Sequence, residues 1–260
     1  MEYQHAGGLQ QIDSSDAFPL VVDTPPASAR RQRFARLRLE APVVSPSLLL
    51  CDFGRLADEV QRLEAAGVKA LHLDVMDGHF VSNITYGLPI VEAVRRVSPL
   101  PIEAHLMISD PARYAGQFFA AGADAITFHI EAIGDPRPLL DELHALGAAA
   151  GLAYNPDTPL SAIRDYLNDC DMILTMSVVP GFGGQAFRRE ALDNLRHLRA
   201  MAGPEVLLEI DGGVNAETIG ECAAAGAQLF VVGSAIFKSS DYKQAVDTLT
   251  RSAKTHSRAQ

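Results

Sequence analysis

At three places in this chain a helical segment ends in Ala-Gly and an apolar strand begins a few residues later: LEAAGVKALHL, FAAGADAITF and CAAAGAQLFVV. The glycines are Gly67, Gly122 and Gly226, and each suits the left-handed position that ends a helix. A repeated helix-to-strand junction of this kind commits the chain to βαβ units and a parallel sheet. Short runs rich in Val, Ile and Leu predict strands near 43–48, 69–75, 101–107, 124–129, 149–154, 171–177, 206–211 and 229–233. Helical spacing predicts helices near 54–66, 88–97, 111–121, 137–146, 159–167, 188–201, 216–225 and 241–253. Eight such units give an α/β fold, a single closed (β/α)8 TIM barrel over residues 41–260. A doubly wound open sheet is the nearest rival, but no GxGxxG follows the first strand.

Residues 1–40 read as an N-terminal extension, flexible and without a sustained period, carrying Gly7-Gly8, Ser14-Ser15 and Pro25-Pro26. Arg30, Arg31, Arg33, Arg36 and Arg38 cluster there and suit a targeting segment or an anionic surface. Asp13, Asp16 and Asp23 argue against an organelle transit peptide, and composition favours a solvated tail. The start, MEYQHAGGLQ, lacks the layout of a secretory signal, and no apolar run is long enough to span a bilayer. A formal charge of −10 disfavours a sequence-independent nucleic-acid binder, which needs clustered cations. The expectation is no nucleic-acid and no membrane partner. Cys51, Cys170 and Cys222 are odd in number, far apart and outside any CxxC pair, which fits free thiols in a reducing, cytoplasmic setting.

Active sites of such barrels lie at the C-terminal ends of the strands. Strand 2 reads LHLDVMDG, and its period of two puts His72, Asp74 and Met76 on one face and Leu71, Leu73 and Val75 on the other. Strand 3 contributes His105 and Met107, and strand 7 ends in Asp211. Two imidazoles and two carboxylates from three strands have the composition of a site for one divalent metal ion: Zn, Fe, Mn or Co. The plainer alternative is a set of hydrogen-bonded interior polar groups. Glu103 and Glu209, two residues before His105 and Asp211, either orient those ligands or are themselves satisfied interior groups.

Three glycine loops follow adjacent strands: Gly181, Phe182, Gly183 and Gly184 after strand 6, Gly212-Gly213 after strand 7, and Gly233-Ser234 after strand 8. Alone each is an ordinary turn, but together they suit an anion approached by backbone N–H groups. The four lysines, Lys69, Lys238, Lys243 and Lys254, avoid the predicted strand ends, which disfavours Schiff-base aldolase chemistry.

These segments resemble the ribulose-phosphate 3-epimerase (pentose-5-phosphate 3-epimerase) family. The likeness runs from about residue 43 to 240 through SPSLL, HLDVMDGHFVSNITYG, HLM, TFHIEA, NPDTPL, MSVVPGFGGQ, DGGVN and GSAIF. The resemblance implies that His72, Asp74, His105 and Asp211 bind the metal, with Asp74 as base on one face of the substrate and Asp211 as acid on the other. It implies that Ser47 and His105 touch substrate, that the glycine loops surround a phosphate, and that Met76, Met107 and Met176 crowd the reacting carbons. Ordinary core packing would serve those methionines equally well.

The implied reaction interconverts D-ribulose 5-phosphate and D-xylulose 5-phosphate by inversion at C3 through an enediolate, with the metal polarising the C2 carbonyl. The partner is thus a small sugar phosphate, and a homo-oligomer is expected. Cys51, Ser82 and Val179 depart from the family pattern, and Ser82 and Val179 are expected to flank the mouth. Related hexulose-phosphate epimerases share much of the motif set, so substrate length stays open. A non-catalytic sugar-phosphate binder would be expected to lack one of the four ligands. A metal-assisted decarboxylase would want a strand-end lysine that HLDVMDG does not offer.

Overall fold

The three Ala-Gly junctions turn as their sequence predicts, with Gly67, Gly122 and Gly226 all at positive φ between a helix and the strand after it. In the computed structural model, which describes residues 25–257, these junctions feed three of eight parallel strands. The strands are β1 (Val43–Pro46), β2 (Leu71–Met76), β3 (Ile102–Met107), β4 (Ala125–His129), β5 (Ala149–Tyr154), β6 (Met172–Met176), β7 (Leu207–Asp211) and β8 (Leu229–Val232). Hydrogen bonding runs in the order β1-β8-β7-β6-β5-β4-β3-β2, and a parallel bridge between Ser47 and His72 closes the ring. Every strand interior is buried on both faces, as a barrel sheathed in helices requires.

The helices are α1 (Ala27–Ala35), α2 (Leu37–Glu40), α3 (Leu56–Ala66), α4 (Leu88–Val97), α5 (Pro111–Ala120), α6 (Arg137–Leu146), α7 (Glu190–Met201), α8 (Ile219–Ala224), α9 (Ser234–Phe237) and α10 (Tyr242–Ser257). Leu71, Leu73 and Val75 of β2 point outward into the main apolar cluster beneath these helices. His72, Asp74 and Met76 therefore face the barrel interior, as the alternation predicts.

One expected helix is not α-helical. Residues 159–167 form two 3-10 turns, Leu160–Ala162 and Arg164–Tyr166. Bonds from Ala162 N–H to the Pro159 carbonyl and from Tyr166 N–H to the Ile163 carbonyl close at the tighter spacing. Pro159 at the entry and β6 a few residues beyond leave too little chain for a cooperative α-helix.

The described part of the expected extension is not a solvated tail. Residues 27–40 form α1 and α2, which lie across the N-terminal end of the barrel. Phe34 and Leu37 are buried in a floor cluster with Val43, Ala70, Ala125, Ala149, Met172, Leu207 and Leu229. The small side chains of Ala70, Ala125 and Ala149 at the strand starts leave the space that Phe34 fills.

Three arginines that suggested a solvated or anion-binding cluster turn inward instead. Arg31 reaches both carboxylate oxygens of Asp171, Arg30 donates to the carbonyl of Phe119 at 2.6 Å, and Arg33 lies 3.5 Å from Asp124. The readings made on residues 1–24 fall outside the described residues. No helix of the described residues is long and apolar enough to cross a membrane.

Candidate active site

β2, β3 and β7 deliver the four predicted ligands to one place at the C-terminal end of the barrel. One ligand atom each from His72, Asp74, His105 and Asp211 lies within 4.8 Å of the others. Register explains this: Asp74 pairs with His105 across β2–β3, and Asp211 pairs with Met176 across β6–β7, so all stand in the top layers of the barrel. His72 and His105 are fully buried, whereas Asp211 keeps 17 % of its side chain exposed to the mouth.

Nε2 of His72 and Nδ1 of His105 approach to 3.3 Å, and each lies 3.2 Å from Oδ1 of Asp74. Oδ2 of Asp211 is 4.0 Å from Nδ1 of His105. His72 spends its other nitrogen on Glu103, with Nδ1 2.9 Å from Oε2, and the hydroxyl of Thr127 donates to the second oxygen at 2.6 Å. Donation from Nδ1 leaves the Nε2 lone pair of a neutral His72 aimed into the cluster. Ligand nitrogens and carboxylate oxygens thus meet around one point, which suits a divalent cation.

The electrostatics show a pocket that favours positive charge. Burial opposes charge on His72, yet Glu103 and Asp74 raise its imidazole well above the usual range. Burial would raise the Asp74 carboxyl, but His72 and His105 hold it far below the usual range. Asp211 is pushed up to about 7 by burial and by the Asp74 charge. A cation between the two carboxylates would offset that repulsion.

The two glutamates differ. Glu103 orients His72. Among the described residues no donor reaches either oxygen of Glu209, whose nearest approach to His72 Nδ1 is 3.9 Å. Burial and the Glu103 charge push the Glu209 carboxyl well above the usual range.

Above the ligands opens a small cavity at the barrel mouth, of about 70 Å³. Its wall holds Ser47, Asp74, Asp211 and the three methionines Met76, Met107 and Met176. The hydroxyl of Ser47 donates to Oδ2 of Asp74 at 2.5 Å. The methionines are nearly fully buried and share the apolar part of the wall with Leu49, Leu50, Val178 and Val231.

Three glycine loops contribute to the rim: Gly181, Gly183 and Gly184 with Phe182, then Gly212-Gly213, then Gly233-Ser234. Gly212 (φ +113°) could carry no side chain, because a Cβ there would lie 2.5 Å from Val178. Of the expected metal, substrate and pocket residues, all line this cavity except His72 and His105, which lie beneath its surface. Val179 and Ser82 are exposed, and neither lines the cavity. Their neighbours do the bridging, with Asn83 donating to the Gly181 carbonyl at 2.6 Å.

Sequence reasoning missed several supporting groups. Tyr86 and Thr85 brace β2, accepting from the N–H groups of Asp74 and Met76. Ser177 donates to the Asp211 and Gly212 carbonyls. The period of two that exposes His72 and Asp74 also runs through Thr127 and His129 of β4, and that was the available signal. None of the four lysines lines the cavity.

Fold and site together define a (β/α)8-barrel enzyme whose mouth brings two imidazoles and two carboxylates within reach of one ion. Residues 43–237 match the model of the ribulose-phosphate 3 epimerase family. The chain is 46 % identical over 215 residues to a ribulose-phosphate 3-epimerase of Mycobacterium bovis, covering 82 % of this chain and 93 % of that one. It is 44 % identical over 211 residues to the enzyme of that name from Escherichia coli, covering 80 % and 94 %. The chain belongs to the ribulose-phosphate 3-epimerase family. Among solved structures, 3-keto-L-gulonate-6-phosphate decarboxylase from Vibrio cholerae superposes with a TM-score of 0.65 at 16 % identity, over 83 % of this chain and 99 % of that one. That likeness speaks for the barrel alone.

Proposed function

We propose that this protein interconverts D-ribulose 5-phosphate and D-xylulose 5-phosphate by inverting C3, with Asp74 and Asp211 as the acid/base pair. The convergence of those carboxylates with two imidazoles, from strands separated by β1 and β8, carries the reading. Family membership and the apolar, glycine-rimmed cavity support it.

The C3 hydrogen lies beside the C2 carbonyl and is too weakly acidic for a carboxylate acting alone. His72, Asp74, His105 and Asp211 would hold one divalent ion, from among Zn, Fe, Mn and Co, which would supply Lewis-acid polarisation of the carbonyl. Asp74, ionised and braced by Ser47, takes the C3 proton and becomes a carboxylic acid. The C3–H electron pair moves into the enediolate.

Asp211 in its protonated form delivers a proton to the opposite face of C3 and becomes a carboxylate. The electron pair returns to the carbonyl, and the product differs only in configuration. Each forward turnover moves one proton from Asp211 to Asp74. Partly exposed Asp211 is the group placed to recover a proton from solvent. Met76, Met107 and Met176 keep water from the carbanionic centre. The N–H groups of the Gly181–Gly184, Gly212-Gly213 and Gly233-Ser234 loops bind the phosphate without a lysine or arginine.

A homo-oligomeric assembly and a cytoplasmic location complete the proposal. Three buried free thiols suit a reducing compartment.

Asp74→Asn and Asp211→Asn test the scheme. Each should remove epimerisation by about 10³-fold or more while the circular dichroism of the barrel is kept. Turnover within a few-fold of wild type in either variant would eliminate the two-aspartate mechanism.

A further inference from the structure

TFHIEA and NPDTPL mark the family likeness, yet neither supplies a ligand or an acid/base group to the proposed reaction. In the fold they meet at one carboxylate. Oε1 of Glu131 accepts from the N–H of Asn155 at 2.7 Å and from the hydroxyl of Thr158. Oε2 of Glu131 faces Nδ1 of His129 at 3.1 Å. His129 is fully buried, and its Nε2 lies 2.9 Å from Nε2 of His105. The two imidazoles meet edge to edge, nearly in one plane, with centroids 5.0 Å apart and planes inclined by 21°, and Phe80 packs on the far ring at 4.9 Å.

The direction of this chain follows from proton counting. A carboxylate that already accepts two donors at Oε1 still needs a donor at Oε2, and Nδ1–H of His129 is the group that faces it. The contact between the two Nε2 atoms holds one proton. Neutral His129 with its proton on Nδ1 offers a lone pair at Nε2, so His105 must donate from Nε2–H. That leaves Nδ1 of His105 unprotonated, and it is the nitrogen 3.2 Å from Asp74 and 3.3 Å from His72. With the opposite polarity, His105 would point an N–H into the ligand cluster, where the metal ligand has to present a lone pair.

We propose that His129 and Glu131 are positioning residues that fix the tautomer and ring orientation of His105, so that its Nδ1 is preset to ligate the metal. Thr158 and Asn155 anchor the far end of the chain on the segment after β5. The arrangement parallels the bond from His72 to Glu103, but it uses a neutral imidazole as the intermediary. This inference rests on the metal-site reading above.

The test separates the two. Chelator-competition titration with cobalt(II) gives the dissociation constant of wild-type apoprotein, His129→Phe and His129→Gln. The phenyl ring keeps a planar aromatic side chain against Phe80 and removes the acceptor, whereas glutamine keeps an acceptor oxygen near the position of Nε2. The expected result is a 10- to 100-fold weaker constant for H129F, recovered to within a few-fold of wild type in H129Q, about the range for loss of such supporting partners. Affinity of H129F within twofold of wild type overturns the inference, as does equal weakening in both variants, which would report packing alone. Failure of the wild-type protein to bind cobalt overturns the metal reading and this inference with it.

Nitrogen-15 imidazole spectra of the zinc-loaded wild-type protein need no substitution. His105 should show a protonated Nε2 and a proton-free Nδ1, and the reverse tautomer contradicts the proposal.

Discussion

Replacing Phe34 with alanine probes a part of the fold that lies outside the family match, which begins at residue 43. The Phe34 side chain is completely buried, and its cluster is built from the first residues of β1, β4, β5, β6, β7 and β8. Truncation at such a site costs about 3–5 kcal/mol, combining lost transfer free energy with the cavity left behind. Electrostatics cannot make up the difference. The Arg31–Asp171 pair is partly exposed and contributes about 1 kcal/mol or less.

For a domain of this size the loss corresponds to a fall in Tm of about 6–20 °C. Urea denaturation followed by circular dichroism at 25 °C, on wild type and Phe34→Ala, gives the difference directly. Turnover below the melting transition should be unchanged, because Phe34 sits at the opposite end of the strands from Asp74 and Asp211. A loss below about 1 kcal/mol would refute the claim that α1 and α2 form a structural floor. In that case the segment would lift away rather than leave a cavity.

Further outcomes are expected. Exhaustive chelation should lower turnover by about 10³-fold or more, reflecting several kcal/mol of lost charge stabilisation, and metal add-back should restore it; full activity in metal-free protein contradicts the Lewis-acid role. Gly212→Ala should strain a backbone at φ +113° and push against Val178, costing about 1–3 kcal/mol of stability and raising KM for the sugar phosphate about tenfold or more below the melting transition; an unchanged KM removes that loop from phosphate binding.

Asp171 gives a pH dependence. Burial raises its carboxyl, but His144, the Ala150 N–H and Arg31 outweigh that and hold it below its ordinary value. A carboxyl depressed in the folded state contributes stability above about pH 4 and loses it as pH falls through the folded value. Asp171→Asn should therefore destabilise the protein at pH 7 and flatten its stability profile below pH 4; a profile parallel to wild type would contradict this.

The barrel was legible because its signals are local and repeated. An Ala-Gly junction, a buried strand and a polar strand end can each be read within about ten residues, and β2 shows the inward set His72, Asp74, Met76 without reference to any other segment. The floor was not legible for the opposite reason. Phe34 and Leu37 are two apolar residues among five arginines, and only the alanines at distant strand starts make a pocket for them. The 3-10 turns at 160–166 were missed because apolar spacing there mimics a helix, while Pro159 and the short span decide the hydrogen bonding. His129 and Glu131 were visible as a motif, but what they do depends on a 2.9 Å contact between β3 and β4 that no spacing rule encodes.

The most direct measurement is the fate of the C3 hydrogen in deuterated water. D-ribulose 5-phosphate incubated with the metal-loaded protein and followed by proton NMR should yield D-xylulose 5-phosphate carrying deuterium at C3, and Asp74→Asn and Asp211→Asn should both abolish inversion. Product that keeps its original hydrogen, or substrate that neither exchanges nor inverts, would contradict proton transfer between two carboxylates on opposite faces of one flat intermediate.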